Sequence, residues 1–227
     1  EPGYFNNYIP TVLDPFAGHC SRLFLVYYSN RNYLGWDISH KFMEYNKAAV
    51  QRLMEPGLFE SSTKIEVVEG DSRTINYYEQ FDLCLTSPPF FKLEDYGNEV
   101  GQLGKLGNYE VFLDGLYDVI KGCYKSLKQN TFIAWEVNDF RLDGRFYLYH
   151  MDTARLFEKA GFIIHDIIIV DYLRGFLSCF PSQIEMQKMV SKEHSYIIIG
   201  RKGEVSKTTR EQLLDKLKSP IIQPTLL

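Results

Sequence analysis

The sequence predicts an α/β fold, in which helices pack on a seven-stranded, mostly parallel sheet with a last antiparallel strand. Seven short segments are rich in apolar and β-branched residues, and helix-like segments separate the early ones. This alternation is typical of βαβ units. The predicted strands are residues 11–14, 33–37, 65–69, 81–86, 131–137, 162–172 and 194–201.

The connections between these segments support the same topology. Residues 39–54 and 109–127 carry apolar side chains at helical spacing, so each is predicted to be an amphipathic helix. Residues 173–193 contain Gly175 and Pro181 among mixed polar residues, which argues against a helix between the last two strands. A long loop and an antiparallel pairing of those strands are therefore expected.

Length and composition indicate one large core. The chain has 227 residues, of which 45% are hydrophobic, and a chain of this size ordinarily forms a single domain. We expect that domain to span residues 1–203, followed by a C-terminal helix and tail over residues 204–227. Thr208 and Glu211 have the spacing of a helix capping box before a leucine-rich stretch.

Composition also disfavours several classes of protein. The four cysteines form no CxxC pair, which argues against a disulfide framework or a zinc site, and no metal is expected. No apolar run approaches the roughly 20 residues of a membrane span and no leader opens the chain, so we expect a cytoplasmic protein without a membrane partner. The net charge of −4 argues mildly against a nucleic-acid partner, although a local basic rim would serve an enzyme.

The first motif follows the first predicted strand. It consists of Asp14, Pro15, Phe16, Ala17 and Gly18. The motif connects the strand to a helix-like stretch, and open parallel sheets bind their ligands at such turns. Gly18 lets the backbone approach a ligand closely, and the N-terminus of the following helix favours a negative group such as a carboxylate.

Two further acids end the next two strands. Asp37 lies about 20 residues beyond the first motif, where a carboxylate would bind a ribose diol, and Asp71 follows the third strand. Ordinary turn chemistry explains any one of these residues but less easily all three, so a nucleoside-containing cofactor is indicated. A dinucleotide is disfavoured because His19 and Cys20, rather than further glycines, follow Gly18.

The second motif, Thr86-Ser87-Pro88-Pro89-Phe90, follows the fourth predicted strand. The two prolines fix the backbone, so the Ser87 hydroxyl and the Pro88 carbonyl would be held as neighbouring acceptors. Such a pair suits the exocyclic amino group of a base, because hydrogen bonds from both protons favour the tetrahedral nitrogen that attacks a sulfonium methyl. Phe90 could stack on the base. Taken alone, the motif is also compatible with a plain proline turn.

Together, the two motifs resemble motifs I and IV of the S-adenosylmethionine-dependent DNA amino-methyltransferases. The Ser-Pro-Pro-aromatic form is more similar to the cytosine N4 branch than to the adenine N6 branch, which usually has Asp or Asn first. Residues 81–96 resemble small methylases of phage and prophage in particular, and the whole resemblance spans roughly residues 11–202. It implies a Rossmann-like methyltransferase sheet, a cytoplasmic enzyme of a bacterial or phage-infected cell, and a role in DNA methylation or restriction-modification.

The resemblance also implies roles for individual residues. Asp14, Phe16 and Gly18 would hold the methionine part of S-adenosyl-L-methionine, Asp37 the ribose and Asp71 the adenine edge. The residues assigned to the cofactor are Asp14, Pro15, Phe16, Ala17, Gly18, Asp37, Ile38, Asp71, Ser72 and Ser87. The catalytic loop would consist of Ser87, Pro88, Pro89 and Phe90. The substrate would be double-stranded DNA with the target base flipped out of the duplex.

Two features depart from the family pattern. Cys20 stands where the family often has a second glycine, and residues 1–10 are too short for the segment that normally covers the methionine end of the cofactor. We therefore expect a fragment or incomplete cofactor binding.

No long insertion of the kind that reads a target sequence is present, so a homodimer or a helper protein is a possible partner. The loops 92–108 and 138–149 are candidate nucleic-acid contacts. The cations considered are Lys92, Lys105, Arg141, Arg145, Arg174, Lys188 and Lys192, although a solvated mixed-charge surface is the alternative.

Four functions remain open at this point. Methylation of cytosine N4 in DNA is favoured, and adenine N6 is the nearest alternative. An RNA base methyltransferase is a further possibility, since Pro-Pro-aromatic loops look similar in enzymes that act on structured RNA. A non-catalytic, methyltransferase-like subunit that binds nucleic acid is the fourth, and the intact loop from Ser87 to Phe90 argues against it.

Overall fold

The computed structural model describes residues 8–55, 62–94, 96–172, 182, 185 and 193–204. The strands are β1 Thr11–Asp14, β2 Asn32–Asp37, β3 Ile65–Glu69, β4 Phe81–Thr86, β5 Leu127–Val137, β6 Phe140–Leu142, β7 Arg145–Tyr147, β8 Ile163–Asp171 and β9 His194–Arg201. The helices are α1 Ser21–Tyr28, α2 His40–Leu53, α3 Tyr109–Ser126 and α4 Tyr149–Ala160. Seven of the strands form one sheet in the order β3-β2-β1-β4-β5-β9-β8.

The strand directions confirm the predicted fold class. Pairings among β1, β2, β3, β4 and β5 are parallel, whereas β9 is antiparallel to both of its neighbours, β5 and β8. Helical crossovers between parallel strands bring the carboxyl ends of those strands to one edge of the sheet. Asp14, Asp37 and Thr86 therefore end β1, β2 and β4 at a shared edge.

The core lies on both faces of the sheet. Val12 packs in a cluster with residues of α1 and α2, whereas the next residue, Leu13, packs in a larger cluster with residues of α3 and α4. Successive side chains of a strand point to opposite faces, so this division shows that the helices cover the sheet on both sides. Trp135 of β5 is among the largest fully buried side chains.

The structure differs from the prediction by more than one residue in one strand and in one predicted loop. Strand β5 begins at Leu127 rather than at residue 131, because polar residues at its start pair with the edge of β4: Lys128 lies 2.9 Å from the Asp82 carboxylate. Residues 138–149, predicted to be a loop, contain the hairpin β6–β7. Its turn residues Asp143 and Gly144 both have positive φ, 49° and 78°, as a two-residue hairpin turn of the Asp-Gly type requires.

Several predictions fall outside the described residues. These are the C-terminal helix near Thr208 and the cations Arg174, Lys188 and Lys192. Among the described helices, none combines the length and the apolar content that crossing a membrane requires. Within the same part of the chain, no three His, Cys, Asp or Glu side chains are grouped so that they could hold a metal ion.

Candidate active site

A pocket of about 310 Å³ opens at the edge of the sheet where the parallel strands end. Both predicted motifs contribute to its wall. The lining residues that the sequence predicted are Phe16, Gly18, Asp37, Ile38, Asp71, Ser72, Ser87, Pro88, Pro89 and Phe90. The lining residues that it did not predict as site residues are His19, Arg22, Phe42, Glu94, Tyr96, Gly101, Gln102 and Leu103. The predicted residues Asp14, Pro15 and Ala17 do not line the pocket.

Asp14 lies beneath the pocket wall and is completely buried. Its carboxylate accepts hydrogen bonds from Arg22 Nε at 2.8 Å, the Tyr33 hydroxyl at 2.9 Å, the Thr86 hydroxyl at 2.5 Å and the Phe16 amide at 3.2 Å. Burial and this carboxylate both raise the pKa of Tyr33 well above its ordinary value. With four donors from the protein itself, Asp14 joins the strand ends together and does not face the pocket.

Asp37 holds the first turn against the end of β2. Its carboxylate accepts the Gly18 amide and the Ser39 amide, each at 2.8 Å. Burial raises the pKa of Asp37, and the two amide hydrogen bonds only partly oppose this effect. Gly18 has φ 53°, a left-handed conformation that glycine adopts without strain.

Cys20 also adopts a left-handed conformation, with φ 67°, directly before α1. An L-residue with a Cβ is disfavoured there, and glycine is not. The backbone therefore has the shape that a second glycine in the first motif would adopt, although this chain has cysteine.

Asp71 and Ser72 connect the end of β3 to the other turns. Arg73 contacts both oxygens of the Asp71 carboxylate, with Nε at 3.0 Å from each. Burial opposes ionisation of Asp71, but the hydrogen bonds and charge of Arg73 outweigh it and lower the pKa of Asp71. The Ser72 hydroxyl donates to the Pro15 carbonyl, which fixes the first turn from below.

The second motif is held by aromatic side chains. The Tyr149 hydroxyl donates to the Pro89 carbonyl at 3.2 Å. The Phe90 ring lies edge-on to Phe140 at a centroid distance of 5.9 Å and 6.1 Å from the Tyr149 ring. Within the described part of the chain, the Ser87 hydroxyl has no hydrogen-bond partner, so it is available to a ligand.

The loop after the second motif closes the pocket. The Glu99 carboxylate accepts the His40 amide at 3.0 Å, and Arg73 Nη2 donates to the Gly101 carbonyl at 3.2 Å. Lys92, which is predicted to contact nucleic acid, donates to the Gly107 carbonyl at 2.9 Å. Sequence reasoning missed this role; the glycines at positions 97, 101 and 104 were the available signal for a chain that folds tightly against a site.

The pocket has the features that an adenosine-type cofactor requires. Its volume lies at the lower end of the range of about 300–1,000 Å³ that is usual for small-molecule sites. Asp37 and Asp71 supply acceptors for hydroxyl and amino groups, and Ile38 and Phe42 supply apolar surface for a ring. Arg22, fixed by Asp14, offers a positive charge to a carboxylate. The residues present therefore fit such a cofactor.

The sheet order and the position of this pocket are those of a Rossmann-like methyltransferase fold. A crystal structure of an S-adenosylmethionine-dependent methyltransferase from Methanosarcina mazei has the same fold, with a TM-score of 0.56 and 13% identity, over 86% of this chain and 94% of that chain. Residues 81–221, more than half of the chain, match the model of the DNA methylase family. The chain belongs to that family, and S-adenosyl-L-methionine is its cofactor.

Two curated relatives match shorter stretches. Type II beta methyltransferase M.BslI of Bacillus sp. (strain NEB-606) is 24% identical over 138 residues, which cover 53% of this chain and 14% of the relative. Type II methyltransferase M.SmaI of Serratia marcescens is 30% identical over 82 residues, which cover 35% of this chain and 28% of the relative. The chain thus spans less than a third of the length of either relative. The predicted resemblance to DNA amino-methyltransferases is confirmed.

Proposed function

We propose that this chain carries the catalytic centre of a DNA methyltransferase that modifies an exocyclic amino group, with cytosine N4 as the target. The observation that carries the proposal is the position of Ser87-Pro88-Pro89-Phe90 in the wall of the same pocket as Asp37 and Asp71. Membership of the DNA methylase family and the similarity to two Type II methyltransferases support DNA as the substrate.

On the cofactor side, Asp37 would accept hydrogen bonds from the ribose hydroxyls and Asp71 would hold the adenine edge, with Ile38 and Ser72 beside them. Phe16 and Gly18 would hold the methionine part, together with Arg22. Asp14 acts as a positioning residue, because its carboxylate orients Arg22 through a hydrogen bond of 2.8 Å and is itself withdrawn from the pocket. Pro15 and Ala17 contribute the backbone of the turn.

When bound, the cofactor supplies a methyl group on a positively charged sulfur. The Ser87 hydroxyl and the Pro88 carbonyl accept the two amino protons of the target base, which concentrates the lone pair on the nitrogen. Held by these two acceptors, the nitrogen would be oriented toward the methyl group that the cofactor supplies, and the amino proton released on transfer would pass to solvent. Phe90 faces the ring of the base, held in place by Phe140 and Tyr149.

The choice of cytosine N4 rests on the residue that heads the catalytic loop. Ser87 presents a neutral hydroxyl, whereas the adenine N6 branch usually presents Asp or Asn at this position. Nucleoside mass spectrometry of methylated DNA tests this choice, and N4-methylcytosine is the expected product. If the product is N6-methyladenine, the target base is adenine rather than cytosine, and the proposed chemistry is unchanged. Methyl transfer to RNA but not to DNA would overturn the proposed substrate.

Replacement of Ser87 by Ala tests the catalytic role directly. Loss of one hydrogen-bond acceptor for an amino group that becomes positively charged corresponds to roughly 1.5–3 kcal/mol, a fall in kcat of about 10- to 100-fold. Affinity for S-adenosylmethionine, measured by calorimetric titration, should change less than about twofold because Asp37 and Asp71 are untouched. The exposed Ser29→Ala variant is the matched control. An unchanged kcat in Ser87→Ala would exclude the proposed role.

If the chain were a non-catalytic subunit, the parent chain would show no methyl transfer. Such a subunit would bind DNA without transferring methyl groups under any cofactor concentration. An assay of tritiated methyl transfer from saturating S-adenosylmethionine separates the two functions, because only an active enzyme transfers the label. The Ser87 hydroxyl, which is available to a ligand, favours the active enzyme. The same assay on duplex and single-stranded oligonucleotides tests whether the base must be flipped, and sedimentation with and without DNA tests for the proposed homodimer.

A further inference from the structure

The hairpin β6–β7 is a short ribbon with two different faces. Its register pairs Phe140 with Tyr147, Arg141 with Phe146 and Leu142 with Arg145. Side chains alternate between the faces of a ribbon, so Arg141 and Phe146 share one face and the other four side chains share the opposite one. Arg141 and Phe146 are both exposed, and the Phe146 side chain is 43% exposed although it is aromatic.

The base of the ribbon is fixed to the catalytic loop. The Phe140 and Tyr147 rings stack at 4.9 Å with an interplanar angle of 13°, and Phe140 also packs against Phe90. Tyr147 packs at 4.6 Å from Tyr109, the first residue of α3. The ribbon is therefore packed directly against Phe90, the residue that faces the proposed target base.

The outer part of the ribbon carries positive charge on aromatic rings. The Arg141 guanidinium lies 5.3 Å from the centre of the Phe146 ring, and the Arg145 guanidinium lies 4.8 Å from that of Tyr147. Neither arginine forms an ion pair with another residue in the described ranges. Two guanidinium groups held near rings, without a carboxylate partner, suit phosphate groups and base edges.

We propose that the ribbon 140–147 is a DNA-binding element that holds the duplex beside the catalytic loop, with Arg141 and Phe146 as its contact residues. This inference rests on the proposed function. The sheet order explains the geometry: the cofactor acids follow β2 and β3 on one side of the catalytic loop, and the ribbon follows β5 on the other. A base that reaches Ser87 therefore leaves its duplex on the side of the ribbon.

The size and charge of the ribbon match a groove of DNA. A two-stranded ribbon fits the major groove, and arginine contacts the phosphates and base edges there. The chain has a net charge of −4, so binding depends on local positive charge rather than on the overall field. The two-residue Asp143-Gly144 turn, with both φ angles positive, suits the twist of the two strands that it joins.

The test compares Arg141→Ala with Arg52→Ala, a control of the same residue type. Arg52 is exposed in the last turn of α2, and α2 begins at the pocket edge of the sheet, so Arg52 lies toward the opposite edge. Fluorescence anisotropy with a duplex oligonucleotide should show about 10-fold weaker binding for Arg141→Ala, and a slope of log K against log salt that is smaller by about one. Phe146→Ala should also weaken DNA binding, with an unchanged salt slope.

Steady-state kinetics supply a second readout. Both ribbon variants should raise the KM for DNA while the affinity for S-adenosylmethionine stays within about twofold of the parent, because the ribbon does not line the cofactor pocket. If the parent methylates DNA and both ribbon variants bind DNA as tightly as Arg52→Ala, the inference is wrong and the proposed function survives. If the parent binds S-adenosylmethionine but neither binds nor methylates DNA, the proposed function itself fails.

Discussion

The two walls of the pocket are built from different kinds of contact. The wall at β1, β2 and β3 is polar: Asp37 accepts the Gly18 amide and Asp71 accepts Arg73, while Asp14 beneath this wall accepts the Tyr33 hydroxyl. The wall at β4 and β5 is aromatic, and Phe90 is held there by Phe140 and Tyr149. One wall is thus positioned by charge and hydrogen bonds, and the other by the packing of rings.

Because the two walls are held by different contacts, substitutions in them should change the free energy of unfolding by different amounts. Removing one partner from a buried charged network leaves another charge without compensation, which destabilises strongly. Ring packing is distributed over many weak contacts, so the loss of one polar atom from it has a smaller effect. The polar wall also responds to pH, because burial raises the pKa of Asp37.

The largest effect is expected for Asp14→Asn. The amide would leave the Arg22 charge without a carboxylate and would place an NH₂ donor against donors from Tyr33 or Thr86. Breaking a buried pair in this way costs about 3–5 kcal/mol. Urea unfolding monitored by circular dichroism measures the change. Asp118→Asn, in the exposed ion pair with Lys121, is the control and should change stability by less than about 1 kcal/mol. Equal effects of the two substitutions would contradict the proposed network.

A matched pair of tyrosines compares the two walls directly. Tyr33→Phe removes a donor to the Asp14 carboxylate, and Tyr149→Phe removes a donor to the Pro89 carbonyl. Hydrogen bonds to charged groups contribute about 1.5–3 kcal/mol and neutral ones about 0.5–1.5 kcal/mol, so Tyr33→Phe should destabilise more. The same urea titration ranks the pair, and Tyr149→Phe should also lower kcat a few-fold while leaving cofactor affinity unchanged. A larger loss of stability in Tyr149→Phe would reverse the comparison.

The smallest effect concerns the pH dependence of cofactor binding. Burial raises the pKa of Asp37 above its ordinary 3.8, so the folded chain takes up this proton at a higher pH than the unfolded chain does. As the pH falls through the raised pKa, the Asp37 carboxylate is protonated, which removes the unfavourable buried charge. Protonation also removes an acceptor for the ribose hydroxyls. Affinity for S-adenosylmethionine should decline over this window, by about 10-fold in total.

Variants at the two acids sharpen the assignment of this pH dependence. Asp37→Asn should bind the cofactor more weakly and without the decline. Asp71→Asn should keep the decline, because Arg73 lowers the pKa of Asp71 below 3.8 and Asp71 stays ionised throughout the window. Calorimetric titration at several pH values provides the measurement. A decline that persists in Asp37→Asn would assign it to another group.

The sequence predicted the sheet because its strands are short, apolar and separated by turn residues, and β9 was predicted with its observed bounds, His194–Arg201. The sequence also predicted that Asp37, Asp71 and Ser87 lie at one edge of the sheet, because the carboxyl ends of parallel strands meet there. It could not show that Asp14 is withdrawn from the pocket, because the donors Tyr33 and Thr86 come from strands β2 and β4 and only meet Asp14 after folding.

The sequence also could not distinguish the two loops that were predicted to bind nucleic acid, residues 92–108 and 138–149. Both carry cations, and composition does not distinguish them. In the structure, the loop that contains Lys92 lies against the pocket through backbone hydrogen bonds, whereas the segment that contains Arg141 forms a separate ribbon. The Asp143-Gly144 pair between alternating residues was the local signal for the ribbon.

The buried carboxylate of Asp14 also has a consequence for how the molecule opens. It links the β1 turn through Phe16, α1 through Arg22, β2 through Tyr33 and β4 through Thr86. If any one of these segments separates from the others, the buried carboxylate loses one of its donors. Native-state hydrogen exchange should therefore find one shared opening free energy for the amides at these strand ends, so that the pocket forms and is lost as a single cooperative unit.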